Sequence, residues 1–279
     1  MLRKLLKYDF AAVIKLWCLG ALAVLVLAMG AGFCQRILNS GRELHGIINL
    51  TANLGVVLSA LGILAFSVLT LIFLALRFYK NFFTDEGYLT FTLPVKLHKL
   101  INAKLILIFT VMFMTGLLLY LASFLGEVIG SENYFETLQY RFDYIKETVD
   151  VLKKNGYLGW AVLYIVELVG IGFFMTLFNY LFLFCCITFG SIVAKRAKVA
   201  ASVGIYFGAN FVFSIVVAIF MSFGISAFIL WVGTAKLTET QGMQIAAAVM
   251  FGVMALMAML CSLLYTLQYR LLDRKLNLP

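Results

Sequence analysis

Six apolar stretches alternate with shorter polar stretches along the chain. They are Ala11–Phe33, Ile47–Leu76, Leu105–Leu125, Leu158–Phe189, Val199–Val232 and Ile245–Leu267. Each has at least the ~20 residues that a helix needs to cross a hydrocarbon core of about 30 Å. Backbone amides in lipid must be hydrogen-bonded within their own segment, so each stretch is predicted to be a helix. The pattern predicts an all-α membrane protein with six transmembrane helices in a single transmembrane domain, residues 1–279.

The fifth apolar stretch has an unusual length. As one helix, Val199–Val232 would be about 51 Å long, which exceeds one relaxed span and is short for two spans and a turn. We predict one span to Phe220, followed by a re-entrant hairpin on the outer side over Ser222–Thr234. The alternative is one long, tilted helix.

Composition excludes most soluble classes. Hydrophobic residues make up 63% of the chain and charged residues 13%, about half the usual soluble share of roughly 25%. A soluble domain of this length would expose very large apolar patches. The net charge of +9 lies mostly in segments on the same side as the two termini. By the positive-inside rule, both termini are predicted to be cytoplasmic in a multi-pass protein of the plasma membrane. No nucleic-acid partner is predicted.

Two polar segments have helical periodicity of their own. In Met1–Phe10, leucines alternate with Lys and Arg, which predicts an amphipathic elbow helix on the inner leaflet or a simple basic anchor. The outer segment Ser131–Gly156 places apolar residues three and four positions apart: Leu138, Phe142, Ile145, Val149 and Leu152. We expect a helix that begins near Asn133 and ends at Gly156. It would cover the outer side, on the membrane or the other outer loops; a gating role is the alternative.

The polar segment Arg77–Leu105 is rich in aromatic and charged residues. We predict a short helix over Glu86–Thr92, and an amphipathic turn after Pro94 that leads into the third span. Its aromatic and apolar side chains indicate a docking surface for a partner protein, or alternatively packing on the membrane face. They are Phe82, Phe83, Tyr88, Leu89 and Phe91.

Motifs for catalysis are missing from the sequence. It contains no HExxH, GxSxG or Walker-type GxxxxGK[ST] pattern. We therefore predict that the chain is not an enzyme and holds no metal or cofactor. One carboxyl, Glu167, falls within the apolar core of the fourth span, where charge is costly. It is either a pathway or proton site, or a protonated carboxyl hydrogen-bonded to a neighbouring helix that Gly170 allows to approach.

Two stretches, MLRKLLKYDF and FYKNFFTDEGYLTFTLPVKLHKLINAKL, resemble permease subunits of type-2 ATP-binding-cassette exporters of Gram-positive bacteria. The rest of the chain is similar in hydropathy alone. The resemblance implies a separate ATPase subunit that holds ATP and Mg, and a second permease copy or paralogue. It also implies an elbow helix, a re-entrant hairpin, and a cytoplasmic coupling helix on the ATPase. The coupling role falls on Asp85, Glu86, Gly87, Tyr88, Leu89, Thr90 and Phe91.

The predicted function is that of the permease subunit of an ATP-binding-cassette transporter. It would export a peptide, drug-like or lipid-like substrate together with its ATPase. One alternative is an ion- or proton-coupled secondary transporter that uses Glu167. Another is a non-transporting membrane scaffold that docks a cytoplasmic protein through the same loop.

Overall fold

The computed structural model describes residues 2–40, 46–84, 87, 96–194, 197–234 and 238–275, which are helical almost throughout. These residues form seven helices: α1 Leu2–Asn39, α2 Gly46–Phe83, α3 Leu97–Gly130, α4 Tyr134–Lys154, α5 Leu158–Val193, α6 Lys198–Thr234 and α7 Glu239–Lys275. The all-α fold class is thus confirmed for the described part of the chain.

Six of the helices are long and apolar enough to cross a membrane: α1, α2, α3, α5, α6 and α7. Each contains one of the six predicted spans, so the described part of the chain has six candidate spans in the predicted order. The helices also extend into the polar residues on either side of the predicted spans. A helix pairs its own backbone amides and carbonyls, so it is stable outside the lipid as well as inside it. The chain therefore has the architecture of a multi-pass membrane protein.

The segment of the predicted elbow helix is helical from Leu2 onward, and its position on the inner leaflet stays a prediction. α1 runs without interruption from Leu2 to Asn39. Proline is absent from this stretch, and its first glycine is Gly20, so no residue near the N-terminus favours a break. The polar start of the chain is therefore continuous with the first span.

The hairpin predicted for Ser222–Thr234 is wrong. The backbone of α6 is helical from Lys198 to Thr234, in agreement with the alternative of one long helix. Gly224 and Gly233 weaken a helix by about 1 kcal/mol each, but neither stops it in the way that proline does. At about 56 Å, the helix is longer than the hydrocarbon core.

The described chain divides into two compact units. Unit 1 comprises Met1–Arg77 and Asn102–Asn155, and unit 2 comprises Phe78–Ile101 and Gly156–Pro279. The divisions fall within helices: α2 divides after Arg77 and α3 divides after Ile101. Nearly all of both helices belongs to unit 1, yet the segment that joins them belongs to unit 2. The single-domain organisation stays a prediction.

In unit 1, α1 packs closely on both α2 and α3 because glycines lie at the contacts. A Cβ atom on Gly20 would collide with the Phe66 ring, and one on Gly32 would lie 2.7 Å from the carbonyl oxygen of Gly126. Such close approach is the usual basis of helix packing in lipid. A hydrogen bond of 2.9 Å from Trp17 Nε1 to Thr115 Oγ1 also joins α1 to α3.

In unit 2, α5 packs against both α6 and α7. Contacts between α5 and α7 join residues whose numbers rise together, so these two helices are parallel. The contacts are Tyr164–Met243, Phe174–Cys261 and Thr188–Gln268. α5 meets α6 at Gly190, where a Cβ atom would lie 2.5 Å from Ser202 Cα. Ser202 Oγ donates a hydrogen bond of 3.1 Å to the Ile187 carbonyl oxygen at the same crossing.

We expect Gly190→Ala to lower the free energy of unfolding by about 1–3 kcal/mol, because the new methyl group meets backbone atoms that cannot rotate away. Gly172→Ala is the matched control on the same helix, since nothing lies within 4 Å of its Cβ position. The control should be neutral or slightly stabilising. Denaturation of both purified variants in one detergent checks the prediction, and equal stabilities would contradict it.

The helix predicted over Ser131–Gly156 is confirmed as α4, and its outer location stays a prediction. Asn133 Nδ2 donates a hydrogen bond of 2.9 Å to Glu136 Oε2, although the Asn133 side chain does not cap a backbone amide. The helix ends before Gly156, whose φ of 73° lies in the left-handed region that favours glycine. On the predicted apolar stripe, Phe142 is 68% exposed and Ile145 is 59% exposed. The other three residues of the stripe, Leu138, Val149 and Leu152, are half-buried.

Candidate functional site

Three helices of unit 1 are joined by a buried ionic cluster of Asp9, Arg77 and Lys104. Asp9 on α1 lies between the two cations: Lys104 Nζ on α3 is 2.5 Å from Asp9 Oδ2, and Arg77 Nη2 on α2 is 3.5 Å from Asp9 Oδ1. The side chains of Asp9 and Lys104 are 10% and 6% exposed. The cluster thus fixes the end of unit 1 where α1 begins, α2 ends and α3 begins.

This cluster was not predicted from the sequence. Its members are separated by 68 and 95 positions along the chain, and Arg77 and Lys104 fit the general excess of basic residues on one side. The available signal was Asp9 itself, the first acidic residue in a basic N-terminal segment. Because the cluster is buried, the pairing contributes to stability: a buried cation that loses its carboxylate destabilises the fold.

The aromatic end of α2 is buried in unit 2. The rings of Phe78 and Phe184 stack with centroids 3.8 Å apart and planes 6° apart. Phe82 is fully buried, and Phe83 is 8% exposed. The interpretation of Phe82 and Phe83 as exposed docking residues is therefore wrong. Their apolar rings instead pack with Phe78, whose ring lies 4.8 Å from Phe82 and 6.3 Å from Phe83 between centroids.

The start of α3 is buried on one side, as its periodicity predicts. Leu100 and Ile101 are 2% and 0% exposed, and both belong to unit 2. Lys96 and Lys99 are exposed. The predicted amphipathic turn that leads into the third span is therefore confirmed.

Between these two flanks, the predicted coupling helix is described only at Gly87. The backbone nitrogen of Gly87 donates a hydrogen bond of 2.7 Å to the Thr84 carbonyl oxygen. A Cβ atom at this position would lie 2.7 Å from the Phe82 carbonyl oxygen, so Gly87 allows a close backbone approach. The other coupling residues, Asp85, Glu86, Tyr88, Leu89, Thr90 and Phe91, lie outside the described residues.

Glu167 is buried on α5, with 9% of the residue exposed. Its Oε2 atom has no hydrogen-bond partner among the described residues. One turn before it, Tyr164 donates a hydrogen bond of 2.9 Å to the Met243 carbonyl oxygen. One turn after it, a Cβ atom on Gly170 would lie 2.7 Å from Met254 Sδ, so α7 does approach closely. The expected hydrogen bond from the carboxyl to this neighbour is not found in the described part of the chain.

A second buried polar group of unit 2 lies near the other end of α5. Gln268 on α7 is fully buried, and its Nε2 atom donates a hydrogen bond of 2.8 Å to Thr188 Oγ1. Gln268 Oε1 has no partner among the described residues. The pair was not predicted from the sequence; the signal was a single amide directly after the predicted span Ile245–Leu267. It ties α5 to α7 at the end opposite Tyr164.

Nothing in the described chain brings together three or more His, Cys, Asp or Glu side chains that could hold a metal ion. The chain matches no protein-family model, no curated protein and no solved structure. Three features therefore remain as the basis for function. They are the loop within Phe78–Ile101, the ionic cluster around Asp9, and the buried carboxyl of Glu167.

Proposed function

We propose that this protein is the permease subunit of an ATP-driven exporter of the type-2 ATP-binding-cassette class. The observation that carries the proposal is the membership of Phe78–Ile101 in unit 2. Both flanks of the loop are buried in the same compact unit as α5, α6 and α7. A force applied to such a loop is transmitted to the helices on which its flanks pack.

Several further observations support an ATP-driven permease. Six helices are long and apolar enough to cross a membrane, and the sequence has no Walker-type motif, so a separate subunit would supply ATP hydrolysis and hold ATP and Mg. The loop combines Asp85 and Glu86 with three aromatic or apolar residues, a composition suited to a protein contact. Its ATPase partner would bind on the cytoplasmic side of the plasma membrane, where both termini of this chain would also lie. A second permease copy or paralogue would complete the transport path.

The proposed coupling runs from the loop into α5. The ATPase contacts Asp85–Phe91 differently in its open and closed states, and this difference supplies the coupling free energy. Gly87 keeps the loop backbone against Phe82, and Phe78 carries the displacement to Phe184 through their stacked rings. α5 then moves together with α6 and α7, and the path opens outward.

We expect Glu86→Arg or Tyr88→Ala to abolish coupling while leaving the chain inserted. Glu86→Arg places a positive charge against an ATPase surface that is complementary to a carboxylate. Tyr88→Ala removes an aromatic side chain that would anchor the contact. The measurement is co-purification with a co-expressed ATP-binding-cassette ATPase subunit, followed by ATPase activity of the complex. Asp143→Arg is the matched charge reversal on the exposed face of α4 and should leave both readouts unchanged. Normal association and activity in both loop variants would overturn the coupling assignment.

A second candidate function, proton- or ion-coupled secondary transport, is favoured by one observation. Glu167 is a buried carboxyl on a membrane-crossing helix, a position that often marks an ion pathway, and its Oε2 lacks a partner among the described residues. Such a transporter would work in ATP-depleted vesicles and would stop when the proton gradient is collapsed. Transport that requires ATP and ignores the gradient rules this candidate out.

A further inference from the structure

We propose that Glu167 is the binding carboxylate for a lipophilic organic cation, which defines the substrate class of the exporter. This inference rests on the proposed function, since it assigns a substrate to the path of the same permease. It starts from the buried carboxyl, whose Oε2 atom has no partner in the described part of the chain. A buried carboxyl is stable in its ionised form only with a compensating positive charge, and is protonated otherwise.

The helices packed on α5 supply no such positive charge near Glu167. α7 carries no ionisable residue between Glu239 and Cys261, and α6 carries none between Tyr206 and Thr234. Lys198 is the basic residue of α6, and it lies at the opposite end from Thr234. On α7, Arg270, Arg274 and Lys275 lie beyond Gln268, which pairs with Thr188, more than five turns of α5 away from Glu167. Among the described residues of α6 and α7, none therefore places a cation beside Glu167, and we assign this role to a ligand.

Aromatic rings lie on the same side of α5 as the carboxyl. Trp160 and Tyr164 precede Glu167 by two turns and one turn, and their ring centroids are 6.5 Å apart. The Tyr164 hydroxyl is bound to the Met243 carbonyl oxygen, which fixes this ring against α7. Aromatic faces attract cations that have lost their water, and this attraction adds to that of a carboxylate. The polarizable sulfur of Met254 borders the next turn, at Gly170.

This combination of groups favours large, weakly hydrated cations over small ions. A single carboxylate lacks the further oxygen ligands that Ca²⁺ or Mg²⁺ requires. Apolar and aromatic neighbours cannot replace the hydration shell of a small ion, but they contact the hydrocarbon surface of an organic cation directly. Such a cation also partitions into the bilayer, from which an intramembrane site is reached.

The test uses tetraphenylphosphonium as the probe and the purified full chain in lipid nanodiscs. Equilibrium dialysis should show saturable binding to the wild-type chain, and roughly 30-fold weaker binding to Glu167→Gln. Glu127→Gln is the matched control, because Glu127 is exposed and pairs with Arg141; it should bind as the wild type does. Glu167→Asp retains the charge and should lose less affinity than Glu167→Gln. Thermal denaturation of each variant verifies that it is folded.

A second measurement does not depend on any variant. Dicyclohexylcarbodiimide, an apolar reagent, modifies carboxyl groups within membranes, and mass spectrometry locates the adduct. Tetraphenylphosphonium should slow the modification of Glu167 and leave other carboxyls unaffected. The inference is overturned if the wild-type chain does not bind the probe, if Glu167→Gln binds as tightly as the wild type, or if the probe gives no protection.

These outcomes are separate from those of the proposed function, because the binding measurements use the chain without an ATPase. Failure of probe binding together with normal ATPase association overturns the cation assignment alone. Normal probe binding without any ATPase association overturns the exporter proposal, and the cation site is retained.

Discussion

Replacing Asp9 with asparagine is expected to lower the free energy of unfolding by about 3–5 kcal/mol. The variant removes the carboxylate that lies between Lys104 and Arg77, both of which it contacts across helix boundaries. The Lys104 side chain is 6% exposed, so water cannot replace the lost carboxylate. The effect should appear as an earlier transition when the purified variant is titrated with denaturing detergent.

A second ion pair of unit 1 provides the control for Asp9→Asn. Arg141 Nη2 lies 2.8 Å from Glu127 Oε2, and both side chains are more than half exposed, at 54% and 56%. Glu127→Gln should therefore cost at most about 1 kcal/mol. The double variant Asp9→Asn/Lys104→Met should regain part of the lost stability, because it removes a buried charge together with its partner. Equal effects of Asp9→Asn and Glu127→Gln would refute a special role for the buried cluster.

The six spans were predictable because lipid imposes one strong rule on the backbone. A long apolar segment must be helical to pair its own amides, and this rule is independent of the partners of each helix. The same independence explains why α4 was predicted correctly from periodicity and its stop at Asn155-Gly156. Both signals act over short distances in the sequence.

The predictions that were wrong concern features that depend on tertiary contacts or on weak local preferences. The docking interpretation of Phe82 and Phe83 rests on their place among other aromatic residues in the charged segment Arg77–Leu105. Both rings pack with Phe78, which itself stacks on Phe184, about a hundred residues later in the chain. For Ser222–Thr234, a hairpin was inferred from length, but glycine without proline is too weak a signal to end a helix.

The candidate sites also differ in how far the sequence alone predicts them. Glu167 was identifiable because a carboxyl inside an apolar stretch is visible in the sequence alone. The pairing of Asp9 with Lys104, and of Thr188 with Gln268, is not visible, since ordinary polar residues near span ends are common. Only the packing of α1 on α3 and of α5 on α7 brings these partners together.

Phe184→Ala is expected to have the second largest effect, a loss of roughly 3 kcal/mol in the free energy of unfolding. Phe184 is 1% exposed, and its ring lies flat against Phe78, so truncation leaves a cavity at the joint between α2 and α5. Lipid cannot refill this space as it refills the outer surface of a span. If the stack also transmits movement of the loop, the variant should bind the ATPase normally but fail to couple hydrolysis to transport.

Phe189→Ala is the control for Phe184→Ala. It removes the same aromatic ring from a position that is not buried, so it shows whether the loss of stability depends on burial. Phe189 lies on the same helix but is 48% exposed, so its truncation should cost far less stability and leave coupling intact. A double-mutant cycle of Phe78→Ala and Phe184→Ala should reveal an interaction energy of about 0.5–1.5 kcal/mol, the range for aromatic pairs in contact. Additive effects of the two substitutions would mean that the rings pack independently. The loop would then need another route into α5, and Gly87 against Phe82 would be the next contact to test.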